Sequence, residues 1–404
     1  MYDLILRDAT IVTPRGREVA DVAIQDGRIK YVGPRPPKRR CKEEISAIGR
    51  FLMPGVIDTA VQFEPNGDPT LWERESRAAV TGGVTTVLAL PGGDHPVVDA
   101  RSAQQRIDRV KQHSWVNFGL WGGARADNAE ALEAAARDHL IQGTLAVIDG
   151  MVDDDGFAVP VSKMQAHLST PGVLGVQLEA VLSRKDEIEA LISAGRQVDR
   201  HLHVVHLSTA EELQYLDPVR GETNLTASVT PHHLFLSTDE DAGGVRTFPP
   251  VRPEHDRRTL WSAVKRGRLD CLGSDHHPFS AEGADPGVPG SELLFPLLLS
   301  AVKYGRLNLE LLVSLCAESP ARIFGLERKG QVQKGFDADL ILFSEGEVDR
   351  VRSSRLLSSA GWSPYDTREV APKPDLVIVN GQVVARKGEL VAGAPNGRWV
   401  GEAP

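Results

Sequence analysis

The sequence predicts an α/β protein: a closed (β/α)8 barrel of the TIM type, with a small β domain assembled from both termini. Three observations carry that expectation. The middle of the chain, residues 53–327, alternates short apolar runs with helical segments rich in Ala and Glu, the pattern of a parallel sheet covered by helices. No glycine-rich nucleotide turn interrupts the repeats, which favours a closed barrel over a doubly wound sheet. Both ends, residues 1–52 and 328–404, read instead as short alternating strands.

Taken in order, Asp3 to Val12 and Asp21 to Val32 alternate apolar with polar residues, and Asp26-Gly27 is a strong hairpin signal. Thr85 to Leu90, Thr144 to Ile148 and Leu202 to Leu207 are strands of the middle region. Asn128 to His139 and Lys185 to Leu191 are helical segments between such runs. Pro320-Ala321 suits the first turn of a terminal helix. Ala338 to Phe343 and Leu376 to Val384 return to strand, with Asn380-Gly381 as a second hairpin turn.

The 404 residues, 41% hydrophobic and 25% charged, exclude disordered, collagen-like and coiled-coil classes. Lys and Arg total 46 against 55 Asp and Glu, so the net charge is 46 − 55 = −9. That balance argues against nucleic acid or an anionic membrane as partner. Cys41, Cys271 and Cys316 form no CxxC pair and suit a reducing compartment. With no long apolar span and no signal-peptide layout at Met1 to Arg7, the expected location is the cytoplasm.

Histidines gather at candidate strand ends: His201, His203 and His206, then His232-His233, then His276-His277 beside Asp275. Strict alternation along Leu202 to Leu207 would put His203 and His206 on opposite faces, so that at most one enters a barrel. His206, nearer the strand end, is the better inward candidate. It reads either as a ligand or as a hydrogen-bonded core histidine. Asp275 reads either as a ligand or general base, or as a buried acid held by backbone donors.

A series of motifs then makes the chain recognisable. They include Met53-Pro54-Gly55-Val56-Ile57-Asp58, Thr81-Gly82-Gly83-Val84-Thr85-Thr86 and His206-Leu207-Ser208-Thr209-Ala210-Glu211. Val229-Thr230-Pro231-His232-His233-Leu234, Gly273-Ser274-Asp275-His276 and Ser319-Pro320-Ala321-Arg322 follow in order. Together they resemble the dihydroorotase branch of the amidohydrolase superfamily, which includes hydantoinases and allantoinases. The resemblance implies a metal-bearing barrel of the amidohydrolase kind and a β-sandwich made from both termini.

The departures from that family are as informative as the match. The resemblance implies two zinc-binding histidines after Asp58, where this chain has Ala60 and Gln62. A further ligand position on the fifth strand holds Gln177. His206 and Asp275 survive, and Asp149 or Asp154 could stand at the bridging position near the fourth strand. The family's carboxylate-gripping Arg and Asn correspond to Glu64 and Gly92, and the last imidazole of the eighth-strand signature is replaced by Phe279. Exchanging Arg for an acid about 5 Å from an anion turns roughly 3 kcal/mol of attraction into repulsion of similar size, at an effective dielectric of 20.

Zinc needs three or four donors of imidazole, thiolate or carboxylate type. The expected protein is therefore a dihydroorotase-like pseudoenzyme without a resident cofactor. Asp275 would keep only a vestigial general-base position. The resemblance implies a homo-oligomer that accompanies aspartate transcarbamoylase in pyrimidine synthesis. The alternative is an active hydrolase of cyclic amides with a weak mononuclear zinc site, in which Glu64 would favour a neutral or cationic substrate. A third reading is a small-molecule sensor using the barrel mouth.

Overall fold

The structure, a computed structural model, describes residues 1–148, 157–177, 185–220, 224–240, 245–279, 286–391 and 393–402. The N-terminal strands are β1 (Tyr2–Thr13), β2 (Gly16–Gln25), β3 (Arg28–Gly33), β4 (Cys41–Ser46) and β5 (Phe51–Pro54). The central strands are β6 (Val56–Val61), β7 (Val84–Ala89), β8 (Asn117–Gly123) and β9 (Gly143–Ile148). The short β10 (Ala158–Val159), β11 (Val173–Gln177), β12 (Leu202–Val205), β13 (Leu225–Val229) and β14 (Cys271–Leu272) complete them. After β15 (Leu340–Phe343), β16 (Asp349–Arg350) and β17 (Glu369–Val370) form a separate ribbon. Then β18 (Leu376–Val379), β19 (Gln382–Arg386) and β20 (Glu389–Leu390) rejoin the first sheet.

That first sheet runs β20-β19-β18-β15-β5-β1-β2-β3, with β4 also on β1, so both termini build it. The seam between the two halves is antiparallel β5–β15, with Leu52 opposite Leu342. Alternation gives the sheet two apolar faces. Leu52, Leu340, Leu342 and Ile378 fill its own core, while Met53, Ile341, Phe343 and Val377 pack into the core shared with the barrel. Both hairpin signals form as turns: Asp26 and Gly27 at φ 53° and 74°, Asn380 and Gly381 at 49° and 79°. The two turns touch. A Cβ on Gly381 would lie 2.8 Å from Gly27 Cα, so glycine serves contact as well as φ there.

The barrel strands run β6-β7-β8-β9-β11-β12-β13-β14, all parallel, with helices such as Pro69–Thr81, Ala129–Arg137 and Lys185–Gln197 between them. Closure joins the first strand to the chain just beyond the last. Asp275 N donates to Ala60 O at 3.0 Å, and Gln62 N donates to His276 O at 2.8 Å. Trp121, Leu145, Val205 and Phe324 fill the inside, and Trp121 Nε1 donates to Thr59 O.

Two C-terminal stretches leave the sheet and return to the barrel, which composition alone does not signal. The tail docks beside β8: Phe118 N donates to Arg398 O and Val400 N to Phe118 O, each at 2.9 Å. The stretch around β16 and β17 is held by buried carboxylates. Glu75 accepts from Ser359 N at 2.7 Å, and Glu292 from Leu357 N at 2.9 Å, with Lys373 Nζ 2.5 Å away.

Glu75 also reaches His276, at 3.0 Å, with both side chains wholly buried. Ser291 N donates to His276 Nδ1, so the ring proton sits on Nε2, facing the carboxylate. Burial pushes the Glu75 carboxyl up, but His276 and the serine donors outweigh it and hold the group at about 2. A pKa depressed from the ordinary 4.5 contributes stability above that value and loses it as pH falls towards 2. The shift corresponds to about 3 kcal/mol. Urea unfolding of Glu75→Gln should therefore show a loss of about that size at pH 7, closing towards zero near pH 2. A gap that does not change with pH would contradict an ionised Glu75 carboxylate.

Candidate functional site at the barrel mouth

The mouth is organised by one buried acid. Asp58, in the middle of β6, accepts Ser274 N at 2.7 Å and Ser291 Oγ at 2.6 Å. Burial pushes its carboxyl up, against those hydrogen bonds. The bracket fixes the chain just after β14, and Asp275 follows at φ 53° with its side chain at the barrel opening. Asp is among the few residues that accept this left-handed conformation readily.

On β12, strict alternation fails at its end. His203 faces the interior, against Phe324 and 4.0 Å from Cys271 Sγ, and shares the Thr226 hydroxyl with His201. His206 nevertheless also faces the barrel opening, because the chain turns to φ 57° just past the last strand residue. The expectation that at most one of the pair enters the barrel is thus corrected. Parity holds only while the strand continues.

Five polar side chains meet around a cavity of about 150 Å³: Gln62, Gln177, His206, Asp275 and His277. Asp275 Oδ1 lies 3.8 Å from His206 Nδ1 and 3.9 Å from His277 Nδ1, beyond hydrogen-bond length. His206 is 4% exposed. Burial pushes its imidazole pKa down against the pull of Asp275, which keeps the ring neutral. Its Nε2 has no hydrogen-bond partner among the described residues.

His277 Nε2 lies 2.9 Å from the Gln62 side-chain oxygen, and its Nδ1 lies 3.2 Å from the Asp275 carbonyl. Whichever way the amide is turned, Gln62 and His277 are hydrogen-bonded to one another, and the Gln62 amide is committed there. Phe279 stacks on the same ring at 5.6 Å. His277 was not singled out from the sequence, although its signal was readable. The glutamine and the extra histidine stand on strand ends that closure makes neighbours.

Other candidates are spent elsewhere. Glu64, expected to repel an anionic substrate, is 2% exposed and lies 2.6 Å from Arg106 Nε, with Arg109 at 3.6 Å. Its charge is compensated inside the wall, so the expected repulsion at the mouth is corrected. His233 is held between Thr230 and Pro250, and burial pushes it down to about 3. His276 serves Glu75. Gly92 lines the cavity and Ala60 contributes a methyl group to the interior. Asp149 and Asp154 lie outside the described residues.

The donor chemistry does not fit a two-zinc centre. Of the six implied ligand positions, the bridging one lies outside the described residues, and of the other five, at Ala60, Gln62, Gln177, His206 and Asp275, only the last two carry an imidazole or a carboxylate. One amide is already committed, and Ala60 offers nothing. Among the described residues no group of three or more His, Cys, Asp or Glu is placed to hold a metal ion.

Comparison with known proteins agrees with the fold. The amidohydrolase family profile matches residues 51–384. A dihydroorotase of Methanothermobacter thermautotrophicus is 29% identical, with 99% of this chain and 97% of that protein covered. An allantoinase of Rubrobacter xylanophilus is 31% identical over the same shares. The solved L-hydantoinase from Arthrobacter aurescens superposes with a TM-score of 0.88 at 25% identity, covering 99% of both chains.

The Gln62–His277 contact yields a direct test. A double-mutant cycle of Gln62→Ala and His277→Ala, read by urea unfolding, should give a coupling of about 1 kcal/mol. Additive losses would mean that the two side chains do not interact.

Proposed function

The chain belongs to the amidohydrolase family, of the dihydroorotase and hydantoinase type, and we propose that this member has given up metal-dependent hydrolysis. In this reading it serves as a structural or regulatory partner within an oligomeric assembly in pyrimidine synthesis. Aspartate transcarbamoylase is the proposed partner, on the strength of the sequence resemblance, and self-association is part of the same proposal.

The observation that carries the reading is the amide of Gln62, bound to His277 where the family pattern implies a zinc-binding imidazole. Ala60 and Gln177 weaken the donor set further, and among the described residues no Lys or Arg lines the cavity to grip a substrate carboxylate. Meanwhile the parts that hold the barrel together are intact: the Asp58 bracket, the Glu75–His276 pair and the seam between β6 and the end of β14. Chemistry lost with architecture retained suits a protein whose surface matters more than its pocket.

One observation favours a second reading. His206 Nε2 is buried without a partner among the described residues, while the ring's other nitrogen, Nδ1, lies 3.8 Å from Asp275, and a buried polar atom left idle costs free energy. A water molecule between His206 and Asp275 would satisfy it. Asp275 could then take a proton from that water as general base, with neutral His206 donating a hydrogen bond to a cyclic amide. A weak mononuclear zinc belongs to this reading alone and would need a third donor.

Dihydroorotate, hydantoin and allantoin, each incubated with the purified chain and added zinc, separate the two readings. The proposal expects no hydrolysis above the rate without protein, and retention of the chain on immobilised aspartate transcarbamoylase. Turnover that disappears in Asp275→Asn would overturn it in favour of the hydrolase.

A further inference from the structure

The stretch carrying β16 and β17 packs over the end of the helix Leu294–Lys303 and the chain after the helix Pro231–Phe235. Between them lies a cavity of about 690 Å³, much larger than the 150 Å³ at the barrel mouth. Arg306, Arg350 and Arg368 line it, with Tyr304, Trp362 and Tyr365.

Three carboxylates share the lining, and each is engaged. Glu369 accepts the Tyr304 hydroxyl at 2.7 Å and lies 3.6 Å from Arg350. Asp366 accepts Ser353 N and Oγ at 2.7 and 2.8 Å. Glu240, itself 55% exposed, is shared between Arg368 at 4.0 Å and Arg257 at 3.9 Å.

The donors, by contrast, are under-used. Tyr365 is 1% exposed, and its hydroxyl has no hydrogen-bond partner among the described residues. Burial pushes its pKa up, so it remains a protonated donor. Arg368 is half-buried, and that long contact to Glu240 is the ion pair it makes among the described residues. Burial pushes its pKa down, and Arg257 and Arg306 add like-charge repulsion. Arg306 stands over the Trp261 ring at 6.0 Å and has no ion pair among the described residues. Thr367, between Asp366 and Arg368, holds φ 65°, a strained conformation for a β-branched residue.

A desolvated, weakly paired guanidinium beside an idle buried hydroxyl is costly unless an acceptor meets both. Guanidinium suits phosphate oxygens, and the rings of half-buried Trp362 and exposed Tyr304 suit a planar ring. The volume lies in the range of small-molecule sites and far exceeds a bare phosphate. We propose that this cavity binds a phosphate-bearing ligand of nucleoside-monophosphate size, its phosphate facing Arg368, Arg306 and Tyr365 and its ring against Trp362. The site is separate from the barrel mouth and does not depend on whether hydrolysis has been lost.

Calorimetric titration of the full chain with adenosine and uridine 5′-monophosphate tests this, with the nucleosides and inorganic phosphate as controls. At least one monophosphate should bind saturably, at least about tenfold more tightly than its nucleoside or phosphate alone. Arg368→Gln should weaken it by a similar factor. Tyr365→Phe, which keeps the ring and the fold, should weaken it without lowering the melting temperature of the free protein. His206→Ala should leave it unchanged. No saturable binding at millimolar ligand, equal affinity in Tyr365→Phe and Arg368→Gln, or loss in His206→Ala would each overturn the proposal.

Discussion

Everything at the mouth depends on how the barrel closes. Parallel strands leave one seam between first and last, and here the last strand is only two residues long. Its extension, Gly273 to His276, carries the burden through backbone bonds to β6 and through the buried Asp58 carboxylate. A fully buried acid is costly unless donors surround it, and Ser274 and Ser291 do so. The same bracket aims Asp275 into the opening and His276 out towards Glu75. The two consecutive residues thereby reach different surroundings, one at the cavity and the other against the buried Glu75 carboxylate.

That arrangement gives physical meaning to the exchanges at the seam. In a metal-bearing barrel a zinc ion linking β6 to later strands would add its own cross-strand attachment. Here Gln62 and His277 make a direct side-chain link across the same seam, while Ala60 turns its position over to apolar packing against Gly273. Glu64 is likewise part of the wall, neutralised by Arg106, whose Nη1 donates to Leu90 O. These side chains tie the seam and the wall of the mouth together.

Much of the fold was legible in the sequence because local signals agreed with one another. Asp26-Gly27 and Asn380-Gly381 are turns that few other dipeptides could make, and period-two patterning identified β1, β2, β15 and β18. The site was legible through motif spacing at Asp58, His206 and Asp275. What escaped is non-local. The side on which His206 emerges follows from one left-handed residue after the strand. The neutralisation of Glu64 comes from an arginine 42 positions away. The Tyr365 cavity comes from a C-terminal stretch that sequence texture assigned to the terminal β domain, and no periodicity announces a return to the barrel.

His206 and Asp275 are the donors that remain for a metal, so the most direct measurement is zinc per chain. Protein produced with excess zinc and purified without chelator should contain almost none by elemental analysis. About one tightly held zinc per chain, lost in both His206→Ala and Asp275→Asn, would contradict that expectation.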